Sequence, residues 1–465
     1  MNQKGASAPP LTDGDLLNAQ NRVLISFILV LTGILLAAST GVLVSSTEAQ
    51  QANGTVIDFD AYDTVWTDVE LSEYDSARDV LTYACEQNGF ELIFDEAGHI
   101  QGINGILSDD EKQWNLWAIC RGSTDWTLLS APYTQNPSDY TIMSWAYRSS
   151  GEQPTVAVDS AGNSIYGFSQ RHRVVSLSPT ITEIVAAVGA EKIIVGTDYY
   201  SDYPESVRAA RENGSISMVG TFTSPSFEVI TSTNPDVVFC DGSQYSHYQV
   251  AKQLRSVSIN SIVLYPGEGL NSVTDNIFIV GMVTGYFMAS EMVIEESEYV
   301  FEAVSKVIDG YSDGSLKTMV TLEPDISPWV AGRYTYIDGI LDLLDTGNSF
   351  SKWSGWTHLT ADMIAAEQDV IIVITSEYKA TQQEYDYLMK HLPEQWKATD
   401  AYKNGRIYMV CEDAAEMFQR YGPRTAQVTE LMAMFLYPDA FETEVPKYIG
   451  NSYRDYLNYS KDLSI

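Results

Sequence analysis

From Val174 onward the apolar positions fall into a regular rhythm. Val174 to Leu177 is a short β-branched run, and Ser178 opens a helix whose Ile181, Ile184, Val185 and Val188 fall at i, i+3, i+4 and i+7. Pro179 suits a first helical turn, Thr180 and Glu183 have capping-box spacing, and Gly189 offers a stop. Ile193 to Gly196 starts a second strand, which completes a β-α-β unit. Asp236 to Cys240 and Ser261 to Leu264 continue the alternation and predict a first parallel-sheet lobe. Ile277 to Val283 is strongly apolar, Thr284-Gly285 interrupts it, and a helical pattern resumes to Ile308. The apolar part is too short to cross a bilayer and Glu291 follows closely, so a buried helix is the better reading. A helix from Phe287 to Ile308 would be roughly 33 Å long, enough to bridge two lobes. Lys317 to Leu322, Asp369 to Thr375 and Arg406 to Val410 repeat the strand signature. Helices are predicted between and after them at about Tyr336 to Leu344, Ala361 to Ala366, Gln382 to His391 and Pro423 to Leu436, making a second lobe.

Upstream the texture differs. Strand-like runs at Thr55 to Phe59, Phe90 to Phe94 and Trp114 to Cys120 surround a helix at about Asp75 to Gln87, with Ala77, Val80, Leu81 and Ala84 on one face and Asn88-Gly89 as its stop. This predicts a small, mostly β unit wrapped on a helix. Ser149 to Gln170 has no sustained periodicity and suits a linker, although Thr155 to Val158 could finish a strand. Residues 1–22 are polar. Val23 to Val44 then runs 22 residues without a charge, against the roughly 20 needed to span a bilayer. The alternatives are an uncleaved transmembrane anchor and a signal peptide. The length favours the anchor, with the bulk of the chain outside.

Composition narrows the function. A net charge of -35, from 62 acids against 27 Lys and Arg, argues against nucleic acid or anionic headgroups as partners. Cys85 and Cys120 could form a local disulfide or sit as two buried thiols, while Cys240 and Cys411 each close a predicted strand in different halves of the later region. No Cys-x-x-Cys or His-Glu-x-x-His spacing points to zinc. Asn53, Asn213 and Asn458 head N-x-S/T patterns. There is no nucleophile-base set, P-loop or glycine fingerprint, so catalysis is not expected.

The stretch RVVSLSPTITEIVAAVGAEKIIVGTDYYSDYP, from Arg171 to Pro204, closely resembles the opening of class III ABC-importer binding proteins; TDYYSDYP is most similar to the cobalamin-binding members. The resemblance covers Arg171 to about Ala440. It implies an α/β fold of two Rossmann-like parallel-sheet lobes (171–270 and 315–440) joined by a long helix (272–308), with a C-terminal helix over 441–460. NLWAICRG and DYTIMSWAY resemble a transcobalamin-like small α+β (β-grasp-like) domain, placed at 51–165. Together these imply a membrane-anchored, extracellular binding protein that hands cobalamin or a related corrinoid to an ABC permease and its ATPase. The corrinoid would be cargo, with no cofactor. A haem or iron-siderophore binder is the alternative within the class; a chelatase-like enzyme or a surface scaffold stands outside it.

In such lobes ligands bind beyond the carboxyl ends of the strands. Tyr199, Tyr200, Phe222, Tyr245, Trp329 and Trp356 fall there, and rigid aromatic faces suit a flat, partly apolar ligand; some of them could equally be ordinary core or surface aromatics. The resemblance matches Tyr200 to the family's Tyr, and Trp329 and Trp356 to aromatic contacts. Phe222 and Cys240 stand where the family places Trp, which opens the pocket to a different corrinoid or to haem. A thiolate at Cys240 or an imidazole of His247 or His358 could reach a metal centre, or these could be a buried thiol and surface histidines. Glu228 and Asp362 match the permease-docking carboxylates, and could equally be solvated charges. Arg420 and Arg424 are available to an anionic ligand edge, or could balance the acidic surface.

Overall fold

The computed structural model describes residues 54–60, 63–121, 126–149, 151–154, 157–165, 173–360, 363–364 and 368–463. The apolar run Val23 to Val44 and Asp362 lie outside them. Among the described residues no helix is long and apolar enough to cross a membrane.

The first unit is a five-stranded sheet in the order β2-β1-β5-β3-β4, built from β1 (Gly54–Asp60), β2 (Asp63–Asp68), β3 (Gln113–Cys120), β4 (Trp126–Leu129) and β5 (Tyr140–Arg148). β1 runs parallel to β5, and the other pairs are antiparallel. Helix α1 (Ala77–Gln87) covers one face, where Ile57, Leu116, Ala118, Met143 and Trp145 join Ala77, Val80, Leu81 and Ala84 in one core. The alternate residues Val56, Trp117, Ile119, Ile142 and Ala146 belong to the apolar cluster of the larger domain. Burial on both faces is why these strands read as continuous apolar runs. Inside the sheet Arg148 pairs with the fully buried Asp58 at 2.7 Å. Cys85 and Cys120 are both free thiols, which corrects the disulfide option. They pack against the same core, and burial pushes the Cys85 thiol up to about 12.

The expected linker instead contains a docked hairpin of β6 (Ala157–Val158) and β7 (Ser164–Ile165). Asp159 turns it, accepting from the amides of Ala161 (3.0 Å) and Asn163 (2.8 Å). Its other oxygen meets the amide of Val263 (3.1 Å) and the guanidinium of Arg255 (3.2 Å) in the next lobe. Ser160 N donates to Val263 O at 2.8 Å, and Tyr265 Oη to Val158 O at 2.6 Å.

The first lobe is a five-stranded parallel sheet in the order β10-β9-β8-β11-β12. Its strands are β8 (Val174–Ser176), β9 (Ile194–Thr197), β10 (Ser217–Met218), β11 (Val237–Asp241) and β12 (Ser261–Leu264). Between them lie α2 (Pro179–Ala187), α3 (Glu205–Glu212), α4 (Phe227–Ser232) and α5 (Tyr245–Ser256). Ser178 caps α2 by accepting from Ile181 N, so Thr180 is not the cap; Glu183 is fully buried and has another task. The bridge to the second lobe is two packed helices, α6 (Leu270–Thr284) and α7 (Phe287–Ile308), rather than one helix over 272–308. Gly285, at φ 81°, ends α6 in the left-handed conformation. Gly281 leaves no room for a side chain beside Ser290 of α7, so the two axes approach closely.

The second lobe has the order β16-β14-β13-β17-β18-β19. It comprises β13 (Lys317–Leu322), β14 (Trp329–Ala331), β15 (Gly347–Asn348, paired with β13), β16 (Trp356–His358), β17 (Val370–Ile374), β18 (Ile407–Val410) and β19 (Tyr448–Ile449). β14 and β16 are antiparallel additions at one edge, and β19 extends the parallel part at the other. Helices α8 (Tyr336–Leu343), α9 (Gln382–His391), α10 (Glu412–Phe418) and α11 (Thr425–Leu436) pack around it. The tail departs from the expected C-terminal helix over 441–460: it contributes β19 and then a single 3-10 turn, Tyr453–Asp455. The buried Glu430 carboxylate holds it there, accepting from the amides of Asn458 (2.5 Å), Tyr459 (3.0 Å) and Ser460 (2.9 Å).

Candidate functional site: the cleft between the lobes

Parallel strands send their loops out at their carboxyl ends, and here those ends of the two lobes meet. The Tyr421 hydroxyl, following α10, donates to Asp241 at the end of β11. Tyr336 N, at the start of α8, donates to Gly267 O at 2.8 Å, and Gly267 lies so close to the Tyr421 ring that a side chain there would clash. The Tyr336 hydroxyl turns back to Phe418 O within its own lobe.

Beside this contact lies a buried ion cluster. Glu183 of α2 accepts a bidentate pair from Arg424 (Nε 2.8 Å, Nη2 2.6 Å) and a third bond from Arg420 Nη1 at 2.7 Å. Arg420 also reaches Asp202 at 2.7 Å and Glu416 at 3.4 Å. Burial is the largest influence and works against both guanidinium charges, yet Glu183, joined by Asp202 at Arg420 and by Tyr453 at Arg424, holds each pKa above its ordinary value. The Arg424 guanidinium also lies over the Tyr203 ring, 4.2 Å from its centroid. Arg420 and Arg424 therefore join the lobes and are already satisfied. This corrects the expectation of Arg420 and Arg424 as groups available to a ligand.

The loop after β9 is braced from below. Asp198 is buried, and accepts from Ser201 Oγ at 2.5 Å and Tyr200 N at 2.9 Å. Burial pushes its carboxyl up to about 6, against the pull of those hydrogen bonds. Arg211 secures the same loop through Asp198 O and Ser201 O. The result is that Tyr199 and Tyr200 stand outward, 56% and 53% exposed, with rings edge to face at 5.2 Å.

The other expected site residues separate clearly. Tyr245, at the start of α5, is 77% exposed. Trp329 is 49% exposed; it pairs in register with Leu322, the last residue of β13, and its ring leans on His358 at 5.2 Å. Trp356 is half-buried against the main core. Phe222 is half-buried with its ring edge-on to His247. Cys240 is fully buried in the core of the first lobe, where burial raises its thiol pKa, so it faces no ligand. His247 accepts from Asp241 N through Nδ1 (2.8 Å) and donates through Nε2 to Phe222 O (2.7 Å), and burial lowers its pKa. Both its nitrogens are engaged, which corrects the metal-ligand option for Cys240 and His247. Among the described residues no group of three or more His, Cys, Asp or Glu is placed to hold a metal ion. Glu228 is exposed on the first turn of α4.

A further exposed aromatic is Tyr334, 54% exposed beneath the Arg333 guanidinium at 4.7 Å, past the end of the antiparallel β14 remote from Trp329. Its signal was present in the run GRYTY, directly after the strand that carries Trp329. The roles of Glu183 and Tyr421 had no local signal.

A family profile described as "Periplasmic binding protein" matches residues 174–414. The chain belongs to that family. Among curated proteins it is similar to the uncharacterized ABC transporter substrate-binding lipoprotein YvrC of Bacillus subtilis (strain 168), at 24% identity over 292 residues, covering 62% of this chain and 87% of that protein. Among solved structures it is similar to a periplasmic heme-binding protein from Pseudomonas aeruginosa (19% identity, 58% of this chain and 94% of that one, TM-score 0.49). It is also similar to the periplasmic vitamin B12-binding protein BtuF of Vibrio cholerae (18% identity, 58% and 98%, TM-score 0.47). In this periplasmic binding protein the matched span takes in the first lobe, both bridging helices and most of the second lobe. The small unit and its hairpin lie outside it.

Proposed function

We propose that this protein is the extracellular substrate-binding component of an ABC importer and that its cargo is cobalamin or a related corrinoid. The carrying observation is a set of uncovered aromatic faces at the strand carboxyl ends of both lobes: Tyr199, Tyr200 and Tyr245 on one, Trp329 on the other. Such faces favour a broad, flat ligand, since each ring offers large contact area at little entropic cost. The two arginines nearest the lobe contact are already neutralised by Glu183, Asp202 and Glu416. This favours a periphery of neutral amides over the carboxylates of haem. The name of the Bacillus relative supports the importer role. Glu228 and Asp362 would orient docking to the permease, exposed pairs being worth only about 0.2 to 1 kcal/mol each. Val23 to Val44 would anchor the chain, the small unit would act as a corrinoid-side accessory, and no catalysis is involved.

Calorimetric titration of the chain from Gln51 onward with cyanocobalamin, haemin and a ferric siderophore tests this. One-to-one binding of cyanocobalamin alone is the expected result. Binding only of haemin or the siderophore keeps the importer role and overturns the cargo, and binding of none overturns both.

A further inference from the structure

Three N-x-S/T patterns lie in this chain, and their environments differ sharply. In the pattern headed by Asn53 the hydroxyl belongs to Thr55, which is fully buried in β1 and donates to Met143 O at 3.1 Å. In the pattern headed by Asn458 the hydroxyl belongs to Ser460, also fully buried, which donates to Glu430 at 2.6 Å. Its backbone is held by the same carboxylate. Asn213 stands in a different setting. It follows α3, and residues 212–215 are all exposed. Its Oδ1 accepts from Ser215 N (2.9 Å) and Ser215 Oγ (2.5 Å), and its amide nitrogen donates to no group among the described residues. The local Asx-type turn thus sets the hydroxyl against the side-chain amide of the same tripeptide.

We infer that Asn213 is a glycan attachment site, and that the other two patterns are silent in the folded protein. This rests on the extracellular placement proposed above. The reaction would join Asn213 Nδ2 to the anomeric carbon of a sugar carried on a polyprenyl phosphate. The bond from that carbon to the phosphate oxygen breaks, and the proton lost from Nδ2 passes to a base of the transferring enzyme. The site suits a bulky addition. The loop leads into the amino end of β10, the edge strand of the first lobe, so a glycan would stand at the opposite end of the sheet from the cleft. It would also cover an open sheet edge on which Met218 is 52% exposed.

The test is peptide mass spectrometry of the full chain purified from the membranes of its own source. Cleavage after Arg211 and Lys252 isolates Asn213, and cleavage after Arg454 and Lys461 isolates Asn458. The Asn213 peptide should carry sugar mass that disappears in Asn213→Gln and in Ser215→Ala and persists in Ser215→Thr, while the Asn458 peptide stays bare. A bare Asn213 peptide, or sugar on Asn458 instead, overturns the inference. Labelling intact cells with a membrane-impermeant amine reagent separates the two failures. With the chain labelled, a bare Asn213 removes this inference alone; with no label, the extracellular reading falls as well.

Discussion

The cleft has two regions built on opposite terms. Its ion cluster is charged, buried and closed: every charge on Glu183, Arg420 and Arg424 is answered within 2.8 Å by protein. The rings proposed to meet the ligand are aromatic, exposed and open, with Tyr199, Tyr200, Tyr245 and Trp329 each about half or more accessible. The difference teaches that a charged side chain near a binding site is not thereby a ligand contact. Taking a guanidinium out of water costs several kcal/mol, so it is stable there only with partners already in place. An aromatic ring can wait uncovered at much lower cost.

Four substitutions probe that contrast. The largest effect is expected at Glu183→Ala, which strips the buried Arg424 of its carboxylate and leaves Arg420 only Asp202 and Glu416; breaking a buried pair costs about 3–5 kcal/mol. Urea unfolding should show this loss, and replacing Arg420 and Arg424 with Met in the same chain should recover much of it. Trp329→Ala should instead leave the urea midpoint unchanged and weaken ligand binding by about 2 kcal/mol, roughly 30-fold in Kd by calorimetry. An unfolding change at Trp329, or a binding change with full stability at Glu183, would erase the distinction between the two regions. Tyr421→Phe removes one hydrogen bond to Asp241 across the lobes. Because Ser243 N and Oγ also serve that carboxylate, a cost of only about 1–2 kcal/mol is expected in the same unfolding assay.

The smallest effect tests how the rim is supported. Asp198 has its pKa raised to about 6 in the folded protein, above the unfolded value of about 3.9. The folded state therefore holds this proton more tightly. The stability it contributes is fully present below about pH 4 and is lost as pH rises through about 6. Asp198→Asn lacks that dependence, so its Tm relative to the parent should improve from about pH 4 and level off above about pH 7. A Tm difference independent of pH would refute the assignment.

Much of the fold was legible because its strands are buried on both faces. In Val174 to Leu177 and Val370 to Ile374 successive side chains enter different cores, so each reads as an unbroken β-branched run. The exposed rings were easy to nominate for a related reason, since aromatics just past strand ends are conspicuous, and their part in ligand binding belongs to the proposal. The ion cluster was not. Glu183 and Arg420 are 237 residues apart, and the spacing of Glu183 from Thr180 imitates a local capping box. The docked hairpin and the tail were missed alike, because each is ordered by one carboxylate, Asp159 or Glu430, whose partners lie about 30 or 100 positions away.

The hairpin at Ala157–Ile165 bears on how the molecule melts. A small unit on a loose tether would unfold by itself, as a separate heat-absorption peak. Here one face of its sheet shares the apolar cluster of the larger domain, and Asp159 ties the connecting segment to Val263 and Arg255. Loosening the small unit would expose part of the first lobe, so the two should melt together, read as one heat-absorption peak by scanning calorimetry.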